Sequence, residues 1–234
     1  MLRDLKDPRF GKRLIYTDFL SKVTSVQFSP NGDWCASGDD KGLVKIWRYD
    51  EESKEKWVVK KEHQMLAAPV ASIAWSEDGR YISAGGDGKD QFAKAILAES
   101  GTKQGDIFGP SKRVITIDLK QTGPKTQKLL VGGEGNEICV FDGVPFKFSK
   151  TLRDHTGFVN KVSFRPDGLF FVSVSADKSV VIYDTQTLEV VRKIEKAHNK
   201  GIIDVVWLND SSIATSSSDN DIKYWSIETG AELK

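Results

Sequence analysis

The stretch from Phe158 to Asp184 reads FVNKVSFRPDGLFFVSVSADKSVVIYD and holds three short apolar runs separated by two turn sequences. The first turn sequence is RPDG at 165–168, and the second is ADKS at 176–179. Proline, aspartate, serine and glycine interrupt apolar runs that are themselves rich in β-branched and aromatic residues. The stretch therefore predicts three antiparallel strands joined by tight turns.

The first of these runs has apolar residues at offsets 0, 3 and 5, and this pattern recurs along the chain. The five copies are Val23/Val26/Phe28, Val70/Ile73/Trp75, Val114/Ile117/Leu119, Val159/Val162/Phe164 and Ile202/Val205/Trp207. Their starts are 47, 44, 45 and 43 residues apart. Such a spacing is typical of β-propellers built from WD-type repeats, and shorter helical repeats do not fit it. We therefore predict an all-β fold, a WD-repeat β-propeller with about five four-stranded blades, in preference to a β-sandwich with regular turns.

The repeats define how the chain is organised. We expect one propeller segment over 1–234, made of the following parts: a partial blade 1–20 and repeats 22–63, 69–112, 113–156, 158–200 and 201–234. We expect the chain to start within a blade, and the last repeat to stop about where a fourth strand would begin. An open arc is the expected form, and pairing of 11–18 with repeat five into a closed five-bladed ring is the alternative.

Composition excludes several classes of function. Lys and Arg number 34 against 33 Asp and Glu, so no overall field favours nucleic acid or an anionic membrane, and neither is expected as a partner. No apolar run is long enough to span a bilayer, and the first residues lack the core of a signal peptide. Cys35 and Cys139 fall in different repeats without metal-site spacing, which predicts a reduced, cytoplasmic protein with no metal and no cofactor.

Repeat two departs from the pattern at GGDGKD, residues 85–90. Asp87 and Asp90 would repel a phosphate, and no helix follows whose N-terminus could bind one. A loop whose glycines permit positive φ is the simpler interpretation. Counting along this repeat places Ala98 at the position where the other repeats have an aromatic residue.

Repeats four and five carry a recurring polar set. Its members are His155, Ser173, Asp177 and Tyr183 in one repeat, and His198, Thr215, Asp219 and Trp225 in the other. These residues resemble the WD-repeat tetrad, which in that family links three strands of a blade by buried hydrogen bonds. A catalytic triad is disfavoured, because the set recurs at structural offsets and no nucleophile elbow is present. We therefore predict that the protein is not an enzyme, and that repeats one to three rely more on apolar packing.

Three further segments carry a narrower resemblance. They are GGDGKDQFAKAILAESG at 85–101, GVPFKF at 143–148 and DHTGFVNKVSFRPDG at 154–168. Together they resemble a family of two-propeller WD-repeat proteins that bind actin filaments and work with cofilin to disassemble them. The resemblance spans essentially the whole chain and implies about five of the seven blades of an amino-terminal propeller. It also implies barbed-end capping and a location at the actin cytoskeleton.

The same resemblance implies a binding surface made of acidic and aromatic residues. The matching positions for actin or cofilin are Asp87, Asp90, Glu134, Phe148 and Phe158, with Glu134 standing where the family usually has aspartate. Aromatic anchors can supply most of the energy of such a surface, while rim charges steer the encounter. The alternative is a generic WD-repeat scaffold that serves another protein complex.

Overall fold

A computed structural model describes residues 20–53, 56–88, 91–124 and 126–233. The predicted partial blade 1–20 lies almost entirely outside these residues, as does the 11–18 segment. The described residues fold into five antiparallel sheets, in agreement with the predicted all-β class. They include no helix with the length and apolarity that a membrane crossing requires.

Each sheet is one blade, and its strands follow one another in chain order. Blade one contains β1 (Val23–Phe28), β2 (Trp34–Asp39), β3 (Leu43–Tyr49) and β4 (Trp57–Gln64). Blade two contains β5 (Val70–Trp75), β6 (Tyr81–Gly86) and β7 (Ala93–Leu97). Blade three contains β8 (Val114–Gly123), β9 (Thr126–Gly133), β10 (Ile138–Asp142) and β11 (Lys147–Leu152). Blade four contains β12 (Val159–Phe164), β13 (Phe170–Ser175), β14 (Val180–Asp184) and β15 (Val190–Ile194). Blade five contains β16 (Ile202–Asn209), β17 (Ser212–Ser217), β18 (Ile222–Ser226) and β19 (Glu232–Leu233).

Blade two differs from the others because its described residues form three strands rather than four. The segment that follows β7 pairs with it only briefly, through an isolated bridge between Ile96 and Lys103, and then crosses to blade three. Gly105 forms an isolated parallel bridge with Phe146, whose backbone N–H donates to the carbonyl of Gln104 at 3.1 Å. Ile107 is buried in the core between blades two and three. The segment thus closes an interface between blades at the cost of a regular fourth strand.

The five blades share one pattern of strand pairing, so equivalent positions can be compared between them. In every blade the residue after the second strand donates its backbone N–H to the carbonyl of the residue before the first strand. These pairs are Asp40 with Lys22, Asp87 with Pro69, Glu134 with Arg113, Ala176 with Phe158 and Ser218 with Gly201, at 2.9 to 3.1 Å. The turns between the second and third strands lie on one side of the arc, which we call the upper face. The turns between the first and second strands lie on the opposite side, which we call the lower face.

The register also corrects one sequence-based assignment. The aromatic site in blade four is Tyr183, which pairs with Phe171. The equivalent pair in blade two joins Ile82 to Ile96, so Ile96 and not Ala98 occupies that site. The turn between β6 and β7 is two residues longer than its counterpart in blade four, so residue offsets taken from the other blades do not locate this site.

The apolar core lies between blades and not within them. Among the described residues there are four buried apolar clusters, each of which joins two consecutive blades. Two tryptophans of first strands reinforce this contact, because the indole N–H of Trp75 donates to the carbonyl of Gln27 and that of Trp207 to Ser163, each at 3.1 Å. Blade three, which lacks the predicted polar set, is therefore held by packing on both sides.

The two ends of the array expose faces that are buried elsewhere. Val26 in the first strand of blade one is 62% exposed, whereas Val162 at the equivalent position in blade four is 1% exposed. At the other end Val206, Leu208 and Ile222 of blade five are exposed as well. The blades thus form an open arc, as predicted, and not a closed five-bladed ring.

Candidate functional site

The polar set of blade five forms a continuous buried network. His198 places one ring nitrogen, Nε2, 2.8 Å from the Thr215 hydroxyl and the other, Nδ1, 3.1 Å from the Asp219 carboxylate. The Trp225 indole N–H donates to the same Thr215 hydroxyl at 2.9 Å. With Nδ1–H donating to the carboxylate, Nε2 accepts from Thr215, so a single hydroxyl satisfies two buried partners. The network ties the turn above the blade to its central strands.

Blade four builds a variant of this network. His155 Nε2 lies 2.7 Å from the Ser173 hydroxyl, and Nδ1 lies 3.1 Å from Asp177. The aromatic member is Tyr183, whose hydroxyl donates to Asp154 at 3.1 Å. A phenol oxygen extends further than an indole N–H, which explains why this side chain reaches a residue beyond the serine.

Hydrogen bonds control the ionisation of Asp177. Burial opposes the charged form, but donors from the side chains of His155 and Ser179 and from the backbone of Thr156 and Ser179 outweigh it. The pKa of Asp177 is therefore held well below its ordinary value of about 3.9. A carboxyl whose folded pKa is depressed stabilises the fold above the unfolded pKa and loses that contribution as the pH falls through the folded pKa.

Replacing Asp177 with asparagine should therefore destabilise the chain in a pH-dependent way. At pH 7 we expect the free energy of unfolding to fall by about 1–2 kcal/mol, since charge-assisted bonds are lost. The difference from the unaltered chain should shrink as the pH is lowered from about 5 towards 3, because the carboxyl of the unfolded chain takes up its proton in this range while the native one stays ionised. Urea unfolding at several pH values measures this, and a deficit that stays constant over that range would contradict the assignment.

Blade one holds half of the same network, which sequence reasoning missed. The Trp47 indole donates to the Ser37 hydroxyl at 2.6 Å. Ser37 and Trp47 stand four residues before and six residues after Lys41, the same offsets that flank Asp177 and Asp219. The spacing was present in the sequence, but lysine in place of the aspartate concealed it. Asp39 substitutes in part, accepting the backbone N–H groups of Lys41 and Leu43 at 2.9 Å.

Three of the five residues proposed for actin or cofilin binding lie on the upper face in consecutive blades. Asp87 is exposed in blade two, and Glu134 in blade three is one-third exposed and lies 3.8 Å from Arg113. Phe158 in blade four is 47% exposed, and its carbonyl accepts the Ala176 N–H. Asp40 occupies the same position in blade one as Asp87 does in blade two. We call Asp40, Asp87, Glu134 and Phe158 the upper row.

The other two candidates do not join this row. Asp90 lies outside the described residues. Phe148 is 54% exposed near the start of the outer strand β11, where it packs edge-on against Phe141 with ring centroids 5.8 Å apart. Phe141 is the fourth residue of β10 counted from the upper face, so Phe148 lies about 10 Å down the blade. It belongs to the lower half of the outer edge.

The polar residues of the described chain offer a surface for recognition but no arrangement for catalysis. The Ser173 and Thr215 hydroxyls already bond to histidine nitrogens inside their blades. No group of three or more histidine, cysteine, aspartate or glutamate side chains within the described ranges could hold a metal ion. Burial raises the pKa of both the Cys35 and Cys139 thiols to about 11, which keeps them protonated and unreactive.

Comparison with solved structures supports the fold. The chain is similar to the WD40 β-propeller domain of Doa1, with a TM-score of 0.72 and 17% identity over 94% of this chain and 70% of that one. An identity this low indicates a shared fold alone.

Comparison with curated proteins confirms the narrower resemblance. The chain is 36% identical to actin-interacting protein 1 from Drosophila melanogaster over 98% of its own length. It is 36% identical to WD repeat-containing protein 1 from Gallus gallus over 97% of its length, and 35% identical to that from Mus musculus over 99%. The chain spans only 37% to 38% of the length of these relatives.

Family models give the broader assignment. The model described as "WD domain, G-beta repeat" matches residues 13–48, 58–91, 146–184 and 189–226. The interval between the second and third matches holds the irregular outer segment of blade two and most of blade three, where the polar network is absent. The matches cover more than half of the chain, which therefore belongs to the WD-repeat family.

Proposed function

We propose that this chain is a non-enzymatic interaction module that binds actin filaments through its upper row and cooperates with cofilin in their disassembly. The observation that carries the proposal is 36% identity, over 98% of the chain, to a protein named for its interaction with actin. The proposal includes barbed-end capping and a cytoplasmic location at the actin cytoskeleton. WD-repeat propellers typically act as scaffolds, and this is consistent with a binding role.

The chemistry of the upper row supports a recognition role. Its acidic members, Asp40, Asp87 and Glu134, stand at equivalent positions of three neighbouring blades, and the next blade presents a half-exposed aromatic ring, Phe158. In a protein interface an aromatic ring that becomes fully buried supplies much of the affinity, while charges around it guide approach and set orientation. A basic patch with an apolar pocket is the complementary surface.

Cooperation with cofilin follows if the row binds one state of the filament better than another. A ligand shifts an equilibrium only by its difference in affinity for the two states. We propose that the row binds cofilin-decorated filaments more tightly than bare ones, and so favours severed and capped ends. By linkage, cofilin and this chain then strengthen each other's binding by the same factor.

Co-sedimentation with actin filaments, with and without cofilin, tests the proposal. Replacing Phe158 with alanine should weaken cofilin-dependent binding by about tenfold or more, as expected for a central anchor. Replacing Phe148 with alanine is the matched control, because it removes an equally exposed phenylalanine from the lower half of blade three. We expect a change of less than about threefold for that variant, since rim and remote contacts contribute little.

The controls also separate the competing functions. Equal losses in the two phenylalanine variants would contradict the upper row as the site, although not actin binding itself. Absence of cofilin-dependent sedimentation for a folded chain would contradict the actin proposal and favour a generic scaffold for another complex. Thermal unfolding monitored by circular dichroism shows whether each variant is folded.

A further inference from the structure

A cleft of about 450 Å³ opens between blades one and two in the lower half of the arc. Its floor is apolar and includes Trp34, Ile46, Leu97 and Ala98. A volume of this size falls within the range of ordinary ligand pockets. The half-buried Trp34 indole lines one side and the end of β7 lines the other, so the cleft can enclose a side chain.

The rim of this cleft is strongly cationic. Four basic side chains surround the floor: Arg48, Lys60, Lys61 and Arg80. Within the described ranges, Arg48, Lys61 and Arg80 have no ion-pair partner, and the Lys60 ammonium lies 3.9 Å from the Asp50 carboxylate. Glu99 is the one acidic residue in the lining. The whole chain carries a net charge of only +1, so this is a local excess of positive charge.

Aromatic rings position both arginines. The Arg48 guanidinium lies 5.2 Å from the centre of the Trp34 ring, and that of Arg80 lies 5.7 Å from the centre of the Tyr81 ring. Stacking of this kind restricts a long side chain before any ligand arrives, and the planar guanidinium retains donors that match a carboxylate. Two guanidinium groups, each partly ordered by an aromatic ring, thus border the apolar floor of the cleft.

We propose that this cleft binds an acidic peptide segment. Its apolar side chain enters against Trp34, and its flanking carboxylates pair with Arg48, Arg80 and the two lysines. The apolar floor disfavours inorganic phosphate, which would leave that surface in contact with water. The concave shape disfavours a bilayer, which presents its headgroups on a flat plane.

This site is independent of the upper row. Arg48 is next to the last residue of β3, Arg80 precedes β6 and Glu99 follows β7, all on the lower face. Asp87, Glu134 and Phe158 stand at the opposite ends of their blades. A peptide in the cleft therefore leaves the upper row free, so one chain could join two partners. Failure of the actin proposal would leave this inference intact.

A fluorescently labelled peptide of sequence DEDFDED tests the proposal by fluorescence polarisation with the 234-residue chain. Substituting both Arg48→Gln and Arg80→Gln should weaken binding by at least about tenfold, since two charge-assisted contacts are lost. The matched control is Lys147→Gln with Lys150→Gln, which removes two exposed cations from β11 and should change affinity less than about twofold. Replacing phenylalanine by alanine in the peptide should weaken binding by about fivefold or more.

Several outcomes would overturn the proposal. These are equal binding of the peptide to the arginine double variant and the unaltered chain, equal binding of the lysine analogue KKKFKKK, and no binding up to millimolar concentration. Tighter binding of inorganic tripolyphosphate than of the peptide would instead identify a simple anion site, and tighter binding to phosphatidylserine vesicles a membrane site. The variant Trp34→Phe gives a second test, because it alters the floor while keeping every charge.

Discussion

Replacing Thr215 with valine is expected to lower the free energy of unfolding by about 2–4 kcal/mol, because one hydroxyl serves two buried groups. Its loss leaves both the Nε2 of His198 and the indole N–H of Trp225 without their partner. Valine has nearly the same shape, so no cavity is created. The cost arises from polar groups that are shielded from water and can no longer form hydrogen bonds.

The variant Ser173→Ala in blade four provides the comparison. Ser173 hydrogen-bonds the Nε2 of His155 and also contacts the Tyr183 hydroxyl, but that hydroxyl keeps its bond to Asp154 when Ser173 is replaced. One orphaned group instead of two should cost about 1–2 kcal/mol. Urea unfolding of both variants, with Thr215→Ser as a control that keeps the hydroxyl, measures the difference. Equal losses for the two variants would contradict a shared hydroxyl in blade five.

The repeat that reveals the fold has a physical origin in the first strands. A simple strand would place its buried residues two apart, yet the pattern has offsets 0, 3 and 5. In all five first strands the register shifts after the first residue, as between Val159 and Lys161 in blade four. One extra residue there converts offset 2 into offset 3 and leaves the later alternation unchanged. The sequence pattern therefore reflects a β-bulge at the same position of all five first strands.

The features that sequence reasoning missed depend on contacts between distant residues. Ile96 occupies the aromatic site because it pairs with Ile82. This pairing spans a longer turn, so residue offsets in the sequence do not reveal it. The segment after β7 leaves its own blade because Gly105 can approach the backbone of Phe146, where a Cβ would lie 2.1 Å from its carbonyl oxygen. Neither contact can be predicted from the sequence around one of its two residues alone.

The candidate binding residues show the same limit. Resemblance to a family supplied Asp87, Glu134, Phe148 and Phe158 as a set, but only strand register shows that three of them share a face. The exposure of Phe148 could not be inferred from its neighbour Phe146, which is 1% exposed in the core. The cationic cleft could not be predicted from the sequence, since its basic residues come from two strands of blade one and a turn of blade two.

Gly42 shows how the blades constrain a single position in the turn between β2 and β3. Its φ is +84°, yet the equivalent residues in other blades, Asn136, Lys178 and Asn220, adopt positive φ with a side chain. The turn alone therefore does not demand glycine. The carbonyl of Gly42 accepts the N–H groups of Met65 and Leu66 at 2.9 and 3.2 Å, which holds the linker to blade two against this turn.

Replacing Gly42 with alanine should therefore destabilise the chain by about 2–5 kcal/mol, from left-handed strain and from a steric clash together. A Cβ at this position would lie 2.1 Å from the carbonyl oxygen of Leu66, whose side chain is buried between blades one and two and cannot readily shift. Gly32 in the same blade is the matched control, because its φ is +77° and a Cβ there meets nothing within 4 Å. We expect about 1–2 kcal/mol for Gly32→Ala, measured by urea unfolding, since only strain is added. The excess loss at Gly42 then measures how firmly the linker is fixed between the blades, and equal losses at the two glycines would show that the linker yields.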